Sequence, residues 1–200
     1  MSDTRQTLLD AAATEFALHG PKGARIGAVV ARAGVNERMI YHFFGSKDGL
    51  YRAVLDDQWA TLWRAWEPTL ASTATLAPRE GMRVALSGFF DITLTHPLVM
   101  RLAMHEALGG WSVRPAPAPE QLAPALHALW DRGRADGTFA LDADFPVVYA
   151  AATGALTSLF LLGARFAPAV GDATHPGPDA AHVRDQVVAL LLDGMAARAS

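Results

Sequence analysis

The sequence predicts an all-α protein of about nine helices: an N-terminal three-helix head containing a helix-turn-helix, then a larger helical body. Three observations carry this. Apolar residues recur at spacings of three and four along most of the chain, and no sustained alternation suggests a strand. Clusters of Gly, Pro, Ser and Thr punctuate the periodic stretches. Of the 200 residues, 51% are hydrophobic and 18% charged, which supports a substantial core and excludes a disordered chain.

Each element has its own signal. Residues 4–19 set Leu8, Leu9, Ala12, Ala13 and Phe16 on one stripe, and Gly20-Pro21 is expected to stop that helix. A short helix follows over 26–33. Gly34 supplies the left-handed backbone of a tight turn, Val35 plugs the corner, and Asn36 suits the cap of a second short helix over 37–44. Val29, Ala33, Val35, Ile40 and Phe44 are spaced as a small shared core. Ser46 is an N-cap for a long helix from 47, and Asp48 complements the helix dipole in its first turn. Leu50, Val54, Trp59, Leu62, Trp63 and Trp66 ride on that helix, which is expected to end by Pro68. Beyond a linker-like stretch at 67–78, helices are expected over 78–95 and 98–108, the latter ended by Gly109-Gly110. A Pro/Ala-rich loop spans 112–119. The next helix, 120–136, contains Pro124 and should kink or start late. An apolar helix over 145–166, a Gly/Pro loop over 167–180 and a last amphipathic helix complete the chain. The expected domains are 1–48 and 49–200.

Charge and composition narrow the function. The net charge of −3 argues against a nucleic-acid partner, but it averages two unlike segments. Residues 1–55 hold seven basic and five acidic groups, including both lysines, whereas 56–200 hold ten basic and fifteen acidic. With no cysteine there is no disulfide framework and no thiolate chemistry, which fits a reducing cytoplasm. The N-terminus lacks a basic region leading into an apolar core, so no secretory signal is expected. Residues 145–164 carry no charge and are long enough to cross a bilayer. Their alanines, Gly154, Thr153, Thr157 and Ser158 make the stretch only mildly apolar, and it reads as a helix buried on most of its surface rather than in a membrane. Ala150, Gly154 and Ser158, with Ala151 and Ala155, recur every four residues and offer a face that another helix can approach closely. Metal and cofactor motifs are missing: there is no His-Glu-x-x-His, P-loop, dinucleotide turn or nucleophile elbow, and no metal or cofactor is expected. His127 and Asp131, four apart, read as a surface ion pair.

Residues 26–44 carry the functional signal. Two short helices crossing steeply about a tight turn form a helix-turn-helix, whose second helix can enter a DNA major groove, although the same corner is also a general packing unit. In the DNA-reading case the residues near the start of the second helix meet base edges, here Glu37, Arg38 and Met39, with His42 one turn on. Arg38 suits guanine, Glu37 the cytosine amino group and Met39 the thymine methyl. Glu37 serves equally as an acid at the positive end of a helix, and His42 as a half-buried histidine.

The flanks add detail. The run Ile40-Tyr41-His42-Phe43-Phe44-Gly45-Ser46-Lys47-Asp48-Gly49-Leu50-Tyr51, with Ala33-Gly34-Val35 before it and Ala11-Ala12-Ala13, Phe16 and Gly20 in the opening helix, resembles the DNA-binding domain of TetR-family transcriptional repressors. Gly137-Thr138-Phe139, Asp142 to Pro146 and Leu190 to Gly194 resemble the family's body more weakly. The resemblance implies that Tyr41 and Lys47 hold phosphates and that a homodimer reads a palindromic double-stranded operator. It implies a ligand-binding and dimerisation body, from which a small apolar or aromatic effector releases DNA. It gives the faces of Ala150, Ala151, Gly154, Ala155, Ser158, Val183, Val187, Leu190 and Leu191 the role of a dimer seam. Candidate lining for the effector pocket is Trp59, Trp63, Trp66, Phe89, Met100, Met104, Trp111, Trp130 and Phe160, residues that serve equally as plain core. Arg25 stands where the family often has a capping threonine; arginine can meet a phosphate but cannot cap. The rival reading is a small helical enzyme or ligand carrier that uses the body's cavity.

Overall fold

The computed structural model describes residues 2–111, 113, 123–166 and 179–196. The expected loops at 112–119 and 167–180, and the expected helix start at 120, fall largely outside them. The described residues form nine α-helices and one short 3-10 turn, with a single isolated antiparallel bridge, Phe139 to Ala196, and no longer strand pairing. None of the described helices is long and apolar enough to cross a membrane.

Helix α1 spans Ser2–Gly23, longer than expected. Gly20 does interrupt it, with φ 68° and ψ 174°. Pro21, whose fixed φ suits a first turn, then opens one more turn rather than ending the helix. Helices α2 (Ile26–Ala33) and α3 (Arg38–Phe44) flank Gly34, which takes φ 65° as the turn requires. Helix α4, Lys47–Ser72, runs through Pro68 and corrects the expected end there. An interior proline costs about 3 kcal/mol. Trp66 and Leu70, buried on either side of it, offset that cost by packing. The supposed linker at 67–78 is therefore mostly helix, closed by a 3-10 turn at Thr73–Thr75. Helices α5 (Pro78–Thr95) and α6 (Pro97–Leu108) follow. Helix α7 begins late, at Pro124, and runs to Ala135. Helices α8 (Phe145–Phe166) and α9 (Ala180–Met195) complete the order.

By packing, the chain divides into two units, residues 1–63 with 96–116, and residues 64–95 with 117–200. The boundary expected at residue 48 does not coincide with these packing units. In the first unit, α1 packs against α2 and α6. Its core holds Leu8, Ala12, Phe16, Val29, Ile40, Leu50, Val54, Leu55 and Leu102. In the second unit, α5 packs against α7, α8 and α9. Trp66, Leu86, Phe90, Leu129, Phe139, Leu156 and Leu192 fill that core.

Candidate nucleic-acid interface

The helix-turn-helix is assembled from local signals. The Gly34 N–H bonds the Val30 carbonyl and ends α2. Asn36 caps α3 as expected, its Oδ1 accepting the Arg38 N–H at 2.9 Å. Val29 and Ile40 are fully buried between the helices, and Ala33, Val35 and Phe44 are half-buried against them. Gly45, at φ 74°, turns the chain out of α3. Ser46 caps α4, its Oγ accepting the Gly49 N–H at 2.9 Å. At Gly49 the α4 backbone lies so close to the Phe44 carbonyl oxygen that an added Cβ would overlap it.

This scaffold presents the candidate contacts. Arg38, Tyr41 and His42 are exposed on α3, and Glu37 is exposed immediately before its first residue. Met39 is half-buried against the head's core, which leaves only part of it for a base. The Tyr41 hydroxyl donates to Glu37 Oε1 at 3.3 Å. Lys47, half-buried at the start of α4, donates from Nζ to the Lys22 carbonyl at 3.3 Å, which ties its ammonium to the end of α1. His42 lies edge-on to Phe43, with centroids 5.0 Å apart. Arg5, from α1, sits 5.4 Å over the Phe44 ring in cation–π contact. Arg25 is exposed and makes no side-chain cap. Its own N–H donates instead to Glu15 Oε1 at 3.1 Å, so a carboxylate of α1 caps α2.

Three further groups of this unit take their roles from the fold. Glu15 is 5% exposed. Glu106 is 3% exposed, and its Oε1 accepts the Tyr51 hydroxyl at 2.9 Å while Oε2 accepts the Val113 N–H at 3.3 Å. Burial, then the hydrogen bond and charge of Glu106, push the Tyr51 phenol well above its ordinary range. His105 packs on Gly20, its Nε2 3.3 Å from the Ala17 carbonyl oxygen at the end of α1's main run. The signal was available: Glu15 follows Leu8 and Ala12, and Glu106 follows Val99 and Leu102, each an acid in the register of an apolar stripe.

The body residues separate into groups. Trp66, Phe89 and Trp130 are spent on the core of the second unit. The Trp66 indole donates to the Ala85 carbonyl at 3.2 Å, and its ring meets Phe89 at 5.2 Å. Trp130 stacks on Phe139 at 5.3 Å. Phe160 is buried in that unit; Met100 is buried in the first unit, where Trp59 and Met104 are half-buried and Trp63 and Trp111 exposed. On α8, Ala150, Ala151, Gly154 and Ser158 are exposed and Ala155 is half-buried. Val147, at 61% exposure, and Leu161, at 41%, extend the same apolar face. On α9, Leu190 is 72% exposed, whereas Val183, Val187 and Leu191 lean on their own core.

Residues 8–54 match the family model described as bacterial regulatory proteins, tetR family. Over 105 residues the chain is 31% identical to the HTH-type transcriptional repressor NicS of Pseudomonas putida, covering 52% of this chain and 49% of that one. It is 30% identical over 105 residues to the HTH-type transcriptional repressor SCO4008 of Streptomyces coelicolor, covering 52% and 50%. The match thus spans about half the length of these curated relatives. Among solved structures, a TetR-family regulator from Marinobacter aquaeolei is similar over 98% of this chain and 97% of that one, at 20% identity and a TM-score of 0.71. The ketosteroid transcriptional regulator KstR2 of Mycobacterium tuberculosis is similar over 97% and 95%, at 19% identity and a TM-score of 0.67.

Proposed function

We propose that the chain, whose residues 8–54 match the tetR family of bacterial regulatory proteins, is a repressor of that family that binds a near-palindromic DNA operator as a homodimer and is released by a small apolar or aromatic molecule. The observation that carries this is the exposed N-terminal half of α3. Glu37 and Arg38 stand free of the core on a helix whose start is fixed by Asn36 and whose end is fixed by the Gly45–Gly49 junction. Arg38 addresses guanine. Tyr41, Lys47 and Arg25 address phosphates and set the register, contacts that carry no sequence information of their own. On this reading residues 1–48 bind DNA and residues 49–200 bind the effector and the second subunit.

The face of α8 supports a second subunit. An added Cβ at Gly154 would meet no described residue within 4 Å, so no contact among the described residues calls for a glycine there. A mid-helix glycine costs about 1 kcal/mol relative to alanine. Close approach of a partner helix gives that cost a purpose. For the effector, a hundredfold drop in DNA affinity takes about 2.7 kcal/mol of coupling between the two sites. The rival reading, an enzyme or carrier, has no nucleophile–base or ligand constellation among the candidate residues to favour it.

Selection from a randomised duplex library tests the proposal. The expected result is enrichment of one two-fold symmetric site with half-sites about one helical turn apart. A library left unenriched overturns it.

A further inference from the structure

We propose that Glu37 and Tyr41 act as a pair that filters DNA by sequence, Glu37 withholding the Tyr41 hydroxyl from the phosphate backbone until a cytosine takes its place. The inference rests on the DNA-binding reading above and adds to it a specificity-determining residue. The two side chains lie one turn apart on the exposed face of α3, joined by the hydrogen bond of 3.3 Å from the Tyr41 hydroxyl to Glu37 Oε1. Strong hydroxyl–carboxylate bonds are nearer 2.5–2.7 Å, so this one holds the groups together yet is readily exchanged. Both partners have a second suitor on DNA. The Tyr41 proton suits a phosphate oxygen, and the Glu37 carboxylate suits the N4 amino group of cytosine in the major groove.

The two exchanges are linked. Where a cytosine faces Glu37, the carboxylate accepts from the base and frees the hydroxyl, so both contacts form together. Where no such donor is in reach, Glu37 keeps the hydroxyl and remains an unneutralised anion beside the backbone. Neighbouring charges do not pair with that anion: among the described residues no basic side chain lies within ion-pair distance of Glu37, Arg38 is exposed, and Lys47 is tied to the Lys22 carbonyl. Wrong DNA therefore meets a repulsive charge and lacks a hydrogen bond to phosphate, which is specificity built by penalising the competitor. Residues 1–55 have a surplus of only two positive charges, so one carboxylate at the interface weighs heavily in the non-specific affinity.

The test uses the full chain and two 30-base-pair duplexes: the site enriched by the parent protein, and a scramble of the same composition. Glu37→Gln removes the charge at an exposed position. It is expected to raise affinity for the scramble about tenfold while leaving affinity for the enriched site equal or lower, so that the ratio of the two falls at least as much. Tyr41→Phe is expected to weaken scramble binding at least threefold more in a Glu37→Ala background than in the parent, because only there, with the acceptor oxygen gone, is the hydroxyl free for phosphate. A charge acting alone, without the bond, gives equal Tyr41→Phe effects in both backgrounds and overturns the filter. So does a specific-to-scramble ratio that Glu37→Gln leaves within twofold. Failure of the parent to enrich any duplex defeats the DNA-binding reading itself, whereas enrichment with an unchanged ratio defeats the filter alone.

Discussion

Removing one oxygen atom from the core of the first unit is the sharpest probe of how that unit is held. Tyr51 is 2% exposed and its hydroxyl donates to Glu106 Oε1 at 2.9 Å, joining α4 to α6. Tyr51→Phe keeps the ring and its packing on Phe16, whose centroid is 4.8 Å away, so the apolar core is nearly unchanged. What disappears is a hydrogen bond to a buried carboxylate, worth about 1.5–3 kcal/mol. Urea unfolding at pH 7 measures it, with an unchanged m-value showing that the folded and unfolded states are otherwise alike. The pH dependence gives a second readout. The folded phenol titrates above its unfolded value of about 10. Below pH 10 both states hold the proton and the contribution is complete. As the pH rises past 10, the unfolded chain releases the proton while the folded one keeps it, so stability falls. The parent is expected to lose stability in that window, and Tyr51→Phe to lose less. A variant within about 0.5 kcal/mol of the parent at pH 7, or parallel pH curves above 10, would refute the reasoning.

Two further outcomes follow from glycines. Gly49→Ala, ordinarily stabilising in a helix by up to about 1 kcal/mol, is expected to destabilise the head by about 1–3 kcal/mol through overlap with the Phe44 carbonyl oxygen, read as a lowered Tm. A raised Tm contradicts it. Gly154→Glu, with no described residue within 4 Å of the added Cβ, is expected to leave the subunit folded by circular dichroism and to convert a dimer to a monomer in sedimentation velocity. A dimer that survives this change moves the seam elsewhere.

Much of this architecture is legible in the residues, because local chemistry and packing agree. Asn36 and Ser46 cap the helices they precede, Gly34 takes the left-handed turn, and Val29 and Ile40 are buried as their spacing requires. Expectation fails where long-range packing overrides a local signal. Pro68 and Pro21 are strong breakers in isolation. The burial of Trp66 and Leu70 carries α4 past the first, and the interruption at Gly20 places the second at the start of a new turn, where proline fits. The buried acids Glu15 and Glu106 escape a reading that treats charge as surface. Their partners, the Arg25 N–H and the Tyr51 hydroxyl, lie 10 and 55 residues away and enter reach only through the fold. The same limit applies to the aromatic residues of the body. Composition marks them as apolar, but only packing assigns Trp66, Phe89 and Trp130 to the core of their unit.

The central claim is that α3 reads bases while its flanks hold the backbone. It is tested most directly by binding isotherms on the enriched site and on every single-base-pair variant of it, at several salt concentrations. Arg38→Ala is expected to flatten the preference at one base pair of each half-site, a loss of about 1–3 kcal/mol there, with other positions unchanged. Lys47→Ala is expected to weaken every duplex alike and to reduce the salt slope by about 0.9 for each phosphate that is no longer neutralised. Equal weakening of all duplexes by both substitutions, with the base preferences intact, would contradict the account.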